Sequence, residues 1–174
     1  MTDSSLKEFG VPNIRTPILQ PTYKNQFKVS FNNFGVNGCL DEEIKSKVKN
    51  ALSACVLSVT RPTASFDMVE KTDENANTVY ETAGMKWNDI VIKMIEDTSN
   101  IVLNAIHNQK SVPFELSLYV GDEKNGYTHF LINCSTKEYI PSDLDYEFAH
   151  SCKGILKLLV HDVKIYDKCL DPLP

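Results

Sequence analysis

The sequence predicts a mainly β domain with two helices, and three observations carry that expectation. Apolar and polar residues alternate through residues 27–31, 90–95 and 114–120, the period of a strand with one wet face. Clusters of Asn, Asp and Gly punctuate these runs with turn chemistry. Two stretches, near residues 41–53 and after residue 100, switch to a spacing of three and four, the period of a helix.

The chain begins with an extended arm, residues 1–24. Pro12, Pro17 and Pro21 each remove a donor and fix φ, which disfavours helix. Val11, Ile14, Ile18, Leu19 and Tyr23 lie between them, more apolar than a disordered tail needs, so the arm is expected to dock on a neighbour. Phe27, Val29 and Phe31 then face one way from a strand, with Lys28 and Ser30 on the other side. After the turn residues Asn32, Asn33, Gly35, Asn37 and Gly38, the acids Asp41, Glu42 and Glu43 open a helix. Ile44, Val48, Ala51, Leu52 and Cys55 share its apolar face, and Lys45, Lys47 and Lys49 form a solvated one.

A short strand over 56–60 stops at Arg61 and Pro62. Residues 63–79 are polar around Lys71 to Thr78 and read as a long loop or the tip of a long hairpin, suited to contact with another subunit. Trp87, the single Trp, follows Tyr80 and Gly84 and precedes the strand containing Ile90, Ile92 and Met94. Phe27, Val29, Phe31, Trp87, Ile90, Ile92 and Ile106 are the expected core. Glu96 and Asp97 are read as the start of the next helix, with Asp97 or Ser99 as its cap. Val102, Ala105, Ile106 and Gln109 form the stripe of that helix, with Leu103 beside it. Residues 112–120 and 127–134 make a hairpin around the polar turn 122–126. Residues 141–146 form a corner. Residues 155–166 make the longest strand, apolar on both faces at first, which implies cover on both sides. An irregular tail, residues 167–174, ends the chain. This makes six or seven strands and two helices in one domain, residues 1–174, with no internal repeat.

Composition narrows the function. A net charge of −5 speaks against a protein that grips nucleic acid, since phosphate binding needs clustered Lys and Arg. It leaves room for one that lets nucleic acid slide past. The first residues lack a basic patch followed by an apolar stretch, so no secretory signal is expected. Cys39, Cys55, Cys134, Cys152 and Cys169 are odd in number and widely spaced, which fits buried, reduced thiols. His107, His129, His150 and His161 have no metal-ligand spacing, and no nucleophile elbow, P-loop or dinucleotide fingerprint occurs. No catalytic residue, cofactor or metal is therefore expected. The competing reading is a small β-rich enzyme or ligand-binding module with a site near Cys134, His150 and Cys152.

The order of elements resembles the tail tube proteins of contractile-tailed, myovirus-type bacteriophages. The resemblance runs from Pro17-Ile18-Leu19 through residues 25–35, residues 56–62 with Phe66, then Tyr80, Ala83-Gly84, Trp87, Ile90, Asp97, Asn100 and Gln109, then Asp122 and Asn125, to Asp145-Tyr146 and His161-Asp162. The helical insert over 41–54 is more elaborate than the family pattern, and residues 133–139 lack its Trp. The resemblance implies a β-sandwich or half-barrel with a flanking helix, α+β at the margin. It implies homohexameric rings whose strands close one β-barrel, stacked into a tube for DNA ejection. The implied partners are further copies of the chain, a tail sheath, and baseplate and tail terminator proteins, with DNA passing through the lumen without specific binding. The implied location is the virion, after assembly in the host cytoplasm. Ile18, Leu19, Arg61, Pro62, Phe66, Asn75, Asn77 and Tyr80 are the candidate subunit-interface residues. A baseplate tube or secretion-system-type tube subunit is the nearby alternative.

Overall fold

Alternation places the strands and their register sorts the core from solvent. A computed structural model describes residues 26–37, 39, 41–96, 100–122, 126–142 and 152–168. The elements are β1 (Phe27–Asn32), α1 (Glu42–Ala54), β2 (Val56–Val59), β3 (Ala64–Thr72), β4 (Thr78–Trp87), β5 (Ile90–Ile95), α2 (Ile101–Gln109), β6 (Phe114–Asp122), β7 (Gly126–Pro141) and β8 (Lys153–Lys168). Six strands form one antiparallel sheet in the order β1-β6-β7-β8-β5-β2, and β3 pairs only with β4.

The protein is mainly β, and the large sheet curls into a nearly closed, barrel-like shape. Its outermost strands, β1 and β2, are joined in sequence by α1, which lies against β1 and α2. Val29, Phe31, Leu116, Leu118, Ile132, Cys134, Leu156, Leu158, Ile90, Ile92 and Met94 are buried on the sheet's inner face. Phe31, Phe34 and Phe114 pack ring against ring, with Phe34 and Phe114 centroids 4.5 Å apart.

One buried amide ties the turn after β1 to α2. The Gly35 N–H donates to Gln109 Oε1 at 2.8 Å, and Gln109 Nε2 donates to the Val112 carbonyl at 2.8 Å. Gln109 is fully buried yet its polar atoms are served, as burial requires. Gly35 sits at φ 73° with its missing Cβ position 2.5 Å from Ala105 Cβ, so any side chain there collides with the helix. Asp41 caps α1 by accepting from the Glu43 and Ile44 amides at 2.9 and 3.3 Å. Lys49, expected in solvent, reaches Asn32 Oδ1 at 2.8 Å and ties α1 to β1.

Several expectations change. Eight strands are present among the described residues rather than six or seven, because residues 63–79 resolve into most of the β3–β4 hairpin, the second of the two readings. Glu96 does not open a helix: α2 begins at Ile101 after Asn100, whose φ of 53° is left-handed and whose side chain makes no capping bond. Glu96 instead accepts from the Tyr139 hydroxyl, because the chain after β5 runs on beside β8, where the Glu96 amide pairs with the Cys152 carbonyl and Tyr139 of β7 reaches across Gly154. Asp97 and Ser99 lie outside the described residues. Ile44 is exposed although it shares a helical face with Leu52, since it is on the first turn, beyond the reach of the sheet. Trp87, Phe27 and Ile106 are half-buried and pack on the rim of the core rather than inside it. The strand begun at Tyr127 continues to Pro141 and matches β8 in length.

Cover on both faces of β8 is not found among the described residues. Leu156, Leu158 and Val160 are buried, but Leu159 on the other face is exposed. The Pro-rich arm, the corner after Ser142 and the C-terminal tail lie outside the described residues.

Candidate functional site

Two surfaces are left without the partners their chemistry calls for. The first is the far half of β8. Strand β5 pairs with β8 only from Lys153 to Leu158, while β7 pairs with it along almost its whole length. Residues 159–168 therefore keep one edge with no strand partner among the described residues. Such an edge is a template for another strand. Ile165 and Tyr166, each 52 % exposed, sit on it.

The second surface is the β3–β4 hairpin. Nine register pairs run from Ala64–Trp87 at the base to Thr72–Thr78 at the tip, with a bulge at Ala83. Cross-strand partners share a face, so Ala64, Phe66, Met68, Glu70, Tyr80, Met85 and Trp87 line one side. Phe66 is 58 % and Tyr80 64 % exposed, and Met68 and Met85 are as open. The other face carries Ser65, Asp67, Val69, Lys71, Glu81 and Lys86, with Lys71 paired to Glu81. The base is closed by Asn88, whose amide donates to the Thr63 carbonyl at 2.9 Å and whose side chain bonds Thr63 Oγ1 and Ser65 Oγ, both at 3.0 Å, and Trp87 at the base packs against the core. Two strands with no sheet behind them are marginal in water.

The hairpin tip is a defined turn. Asp73 accepts from the Asn75 and Asn77 amides at 2.9 and 2.8 Å and from Asn77 Nδ2 at 3.2 Å. The bonds from Asn77 chiefly hold the Asp73 carboxyl below its ordinary range. Ala76 takes a left-handed φ of 63° to close the loop.

The candidate interface residues fall mostly on this ground. Phe66 and Tyr80 share the apolar face, Asn75 and Asn77 form the exposed tip, and Arg61 and Pro62 lie in the connection below the base. Ile18 and Leu19 lie outside the described residues. The β8 edge was not among the expected residues, since a sequence shows a strand but not which of its edges is paired.

The competing site near Cys134, His150 and Cys152 is not assembled among the described residues. Cys134 is fully buried, and burial pushes its thiol up to about 12, so at neutral pH it is a protonated, inert thiol. Cys152 is half-buried beside β5, and His150 lies outside the described residues. No group of three or more His, Cys, Asp or Glu among the described residues could hold a metal ion. Tyr139 lies across Gly154, where any Cβ would overlap its ring. Burial, then the bond to Glu96, raises its phenol above the ordinary value, which keeps it a proton donor holding the end of β5 to β7. Ser135 Oγ and His161 Nε2 lie 2.9 Å apart. A nucleophile needs a base that is itself oriented by a third group, and no bond to the second His161 nitrogen is found among the described residues.

No family model matches the chain, and no curated protein matches it. Solved structures do match in fold. One is a chain in the cryo-EM structure of an extracellular contractile injection system, the PVC sheath/tube terminator in the extended state: TM-score 0.64, 13 % identity, 86 % of this chain and 99 % of that one. Another is from the PVC sheath-tube complex in the extended state, with TM-score 0.63, 11 % identity, 92 % of this chain and 99 % of that one. A third is from the baseplate of the anti-feeding prophage, 6-fold symmetrised, with TM-score 0.61, 12 % identity, 86 % of this chain and 97 % of that one. The chain thus shares, over nearly their full length, the fold of chains from contractile tail-like particles, as its resemblance to contractile tail tube proteins led one to expect.

Proposed function

We propose that this protein is a non-enzymatic structural subunit of the inner tube of a contractile tail, assembling as homohexameric rings that stack into a conduit for DNA ejection. The observation that carries the reading is the unpaired edge of β8, residues 159–168, in a chain of this fold. A ring of identical chains gives that edge a strand and removes it from water. The hairpin then provides a second contact between unlike surfaces of two copies, from ring to ring, and a heterologous contact that does not close repeats until something caps it. Arg61, Pro62, Phe66, Asn75, Asn77 and Tyr80, with Ile18 and Leu19 of the arm, are the proposed interface residues. A sheath outside and baseplate and terminator proteins at the ends complete the set of partners. Assembly in the host cytoplasm and residence in the virion follow from that role, as does the absence of cofactors.

A tube subunit of a baseplate or of an injection machine is the second reading. It is favoured by fold matches drawn from an injection system and an anti-feeding prophage baseplate. Negative-stain microscopy of the purified chain over rising concentration tests both: hexameric rings or hollow tubes are expected, and a monomer at every concentration overturns both. Extraction of DNA-containing particles separates the phage reading from the injection reading.

A further inference from the structure

On the outer face of the large sheet, one cross-strand row reads Lys28, Tyr119, His129 and Tyr166, on β1, β6, β7 and β8. Three of the four are aromatic and they stack on one another. The Tyr119 and His129 rings are 4.2 Å apart and 10° from parallel, and His129 lies 5.8 Å from Tyr166. Tyr127 meets the edge of Tyr119 at 5.6 Å. The next row on the same face is Ser30, Ser117, Leu131 and Lys164. These two rows hold two exposed lysines and no carboxylate, and neither lysine makes an ion pair among the described residues.

The hairpin is the complement of this patch in charge. Between Ala64 and Trp87 it carries five carboxylates, Asp67, Glu70, Asp73, Glu74 and Glu81, against Lys71 and Lys86. Glu70 shares its apolar face with Phe66, Met68, Tyr80 and Met85. Thioethers settle well against aromatic edges. Phe66, Met68, Tyr80 and Met85 of that face are each more than half exposed, and Lys28, Lys164 and Tyr166 of the two rows are exposed as well.

We propose that the Tyr119–His129–Tyr166 row, with Lys28 and Lys164, is the seat of the β3–β4 hairpin of a second copy. The inference rests on the tube reading and names the surface that receives the hairpin. Glu70 and the tip acid Glu74 meet the two lysines, and Met68 and Met85 lie along the ring edges. The contact joins two different surfaces, so it repeats from copy to copy.

Sedimentation velocity on the full chain tests it, with thermal melting by circular dichroism as the fold control. The double reversal Lys28→Glu and Lys164→Glu is expected to weaken assembly about tenfold or more in concentration, since like charges replace opposite ones at two pairs. Adding Glu70→Lys and Glu74→Lys to the same chain is expected to restore it. Tyr119→Ala with Tyr166→Ala weakens assembly while leaving melting nearly unchanged. If wild-type chain assembles and the lysine reversal assembles equally well, the seat is elsewhere and the tube reading stands. Loss of assembly that the hairpin reversal does not restore overturns the pairing. Wild-type chain that stays monomeric sinks the tube reading itself.

Discussion

The curled sheet and the β3–β4 hairpin are built from the same kind of residue and come to opposite ends. The central strands of the sheet alternate, and their apolar half disappears: Ile90, Ile92, Leu116, Leu118, Ile132, Leu156 and Leu158 are fully buried. The hairpin also presents an apolar face, yet Phe66, Met68, Tyr80 and Met85 stay open. The sheet encloses its inner face in a nearly closed curl, whereas the hairpin has no second sheet behind it among the described residues. A protomer with a buried core but an open hairpin and an unpaired β8 edge is suited to completing itself on a copy. Large exposed apolar surfaces in soluble chains commonly mark such contacts.

That contrast can be broken most sharply by matched truncations. Leu118→Ala should cost about 2–5 kcal/mol in chemical denaturation, the range for a buried Leu that leaves a cavity. Phe66→Ala should move the same transition by less than about 0.5 kcal/mol, as an exposed position does, while shifting assembly to higher concentration. Equal losses at the two sites would mean that the hairpin belongs to the core. Gly35→Ala is the next largest, about 1–3 kcal/mol, because a strained φ and a collision with Ala105 act together. A melting temperature unchanged in that variant would show that α2 can shift away from the turn.

Trp87 stands on the border between the two regions. As a half-buried ring packed on the core rim, its replacement by Ala should cost about 1–3 kcal/mol, less than the ~3–5 expected of a fully buried ring. A loss at the upper end would move the hairpin base into the body. Removal of residues 70–78 should leave melting of the body near wild type and stop tubes from growing. Tubes of normal length would take stacking away from the tip. The smallest effect concerns acid. Asp73 has a lowered native pKa, so its contribution to the tip is complete above the ordinary value of 3.8 and is lost as pH falls through the lower native value. The Asn75 and Asn77 amide resonances should therefore titrate with a midpoint below 3.8. A midpoint at that value would mean that the turn does not hold the carboxylate.

Much of the body was legible in residue periodicity. Phe27, Val29 and Phe31 alternate because a strand turns each residue over, and Asp41 before Glu42 and Glu43 marks a helix start because its carboxylate serves free amides. The same local logic misread Glu96. An acidic pair before an apolar stripe looks like a helix start, but the stripe begins later and Glu96 is held by Tyr139 from a strand far along the chain. Ile44 has the right spacing for burial and the wrong distance from the sheet.

By itself the sequence determined the mainly β character, the two helices and the inward residues of the strands, because each depends on a chain's nearest neighbours and a period of two or of three to four. Only the tertiary structure decided that β8 outruns β5, that β3 and β4 leave the sheet, and that Tyr119, His129 and Tyr166 stand in one row. Strand order and register join residues far apart in the chain, and no local period encodes which edge is left without a partner.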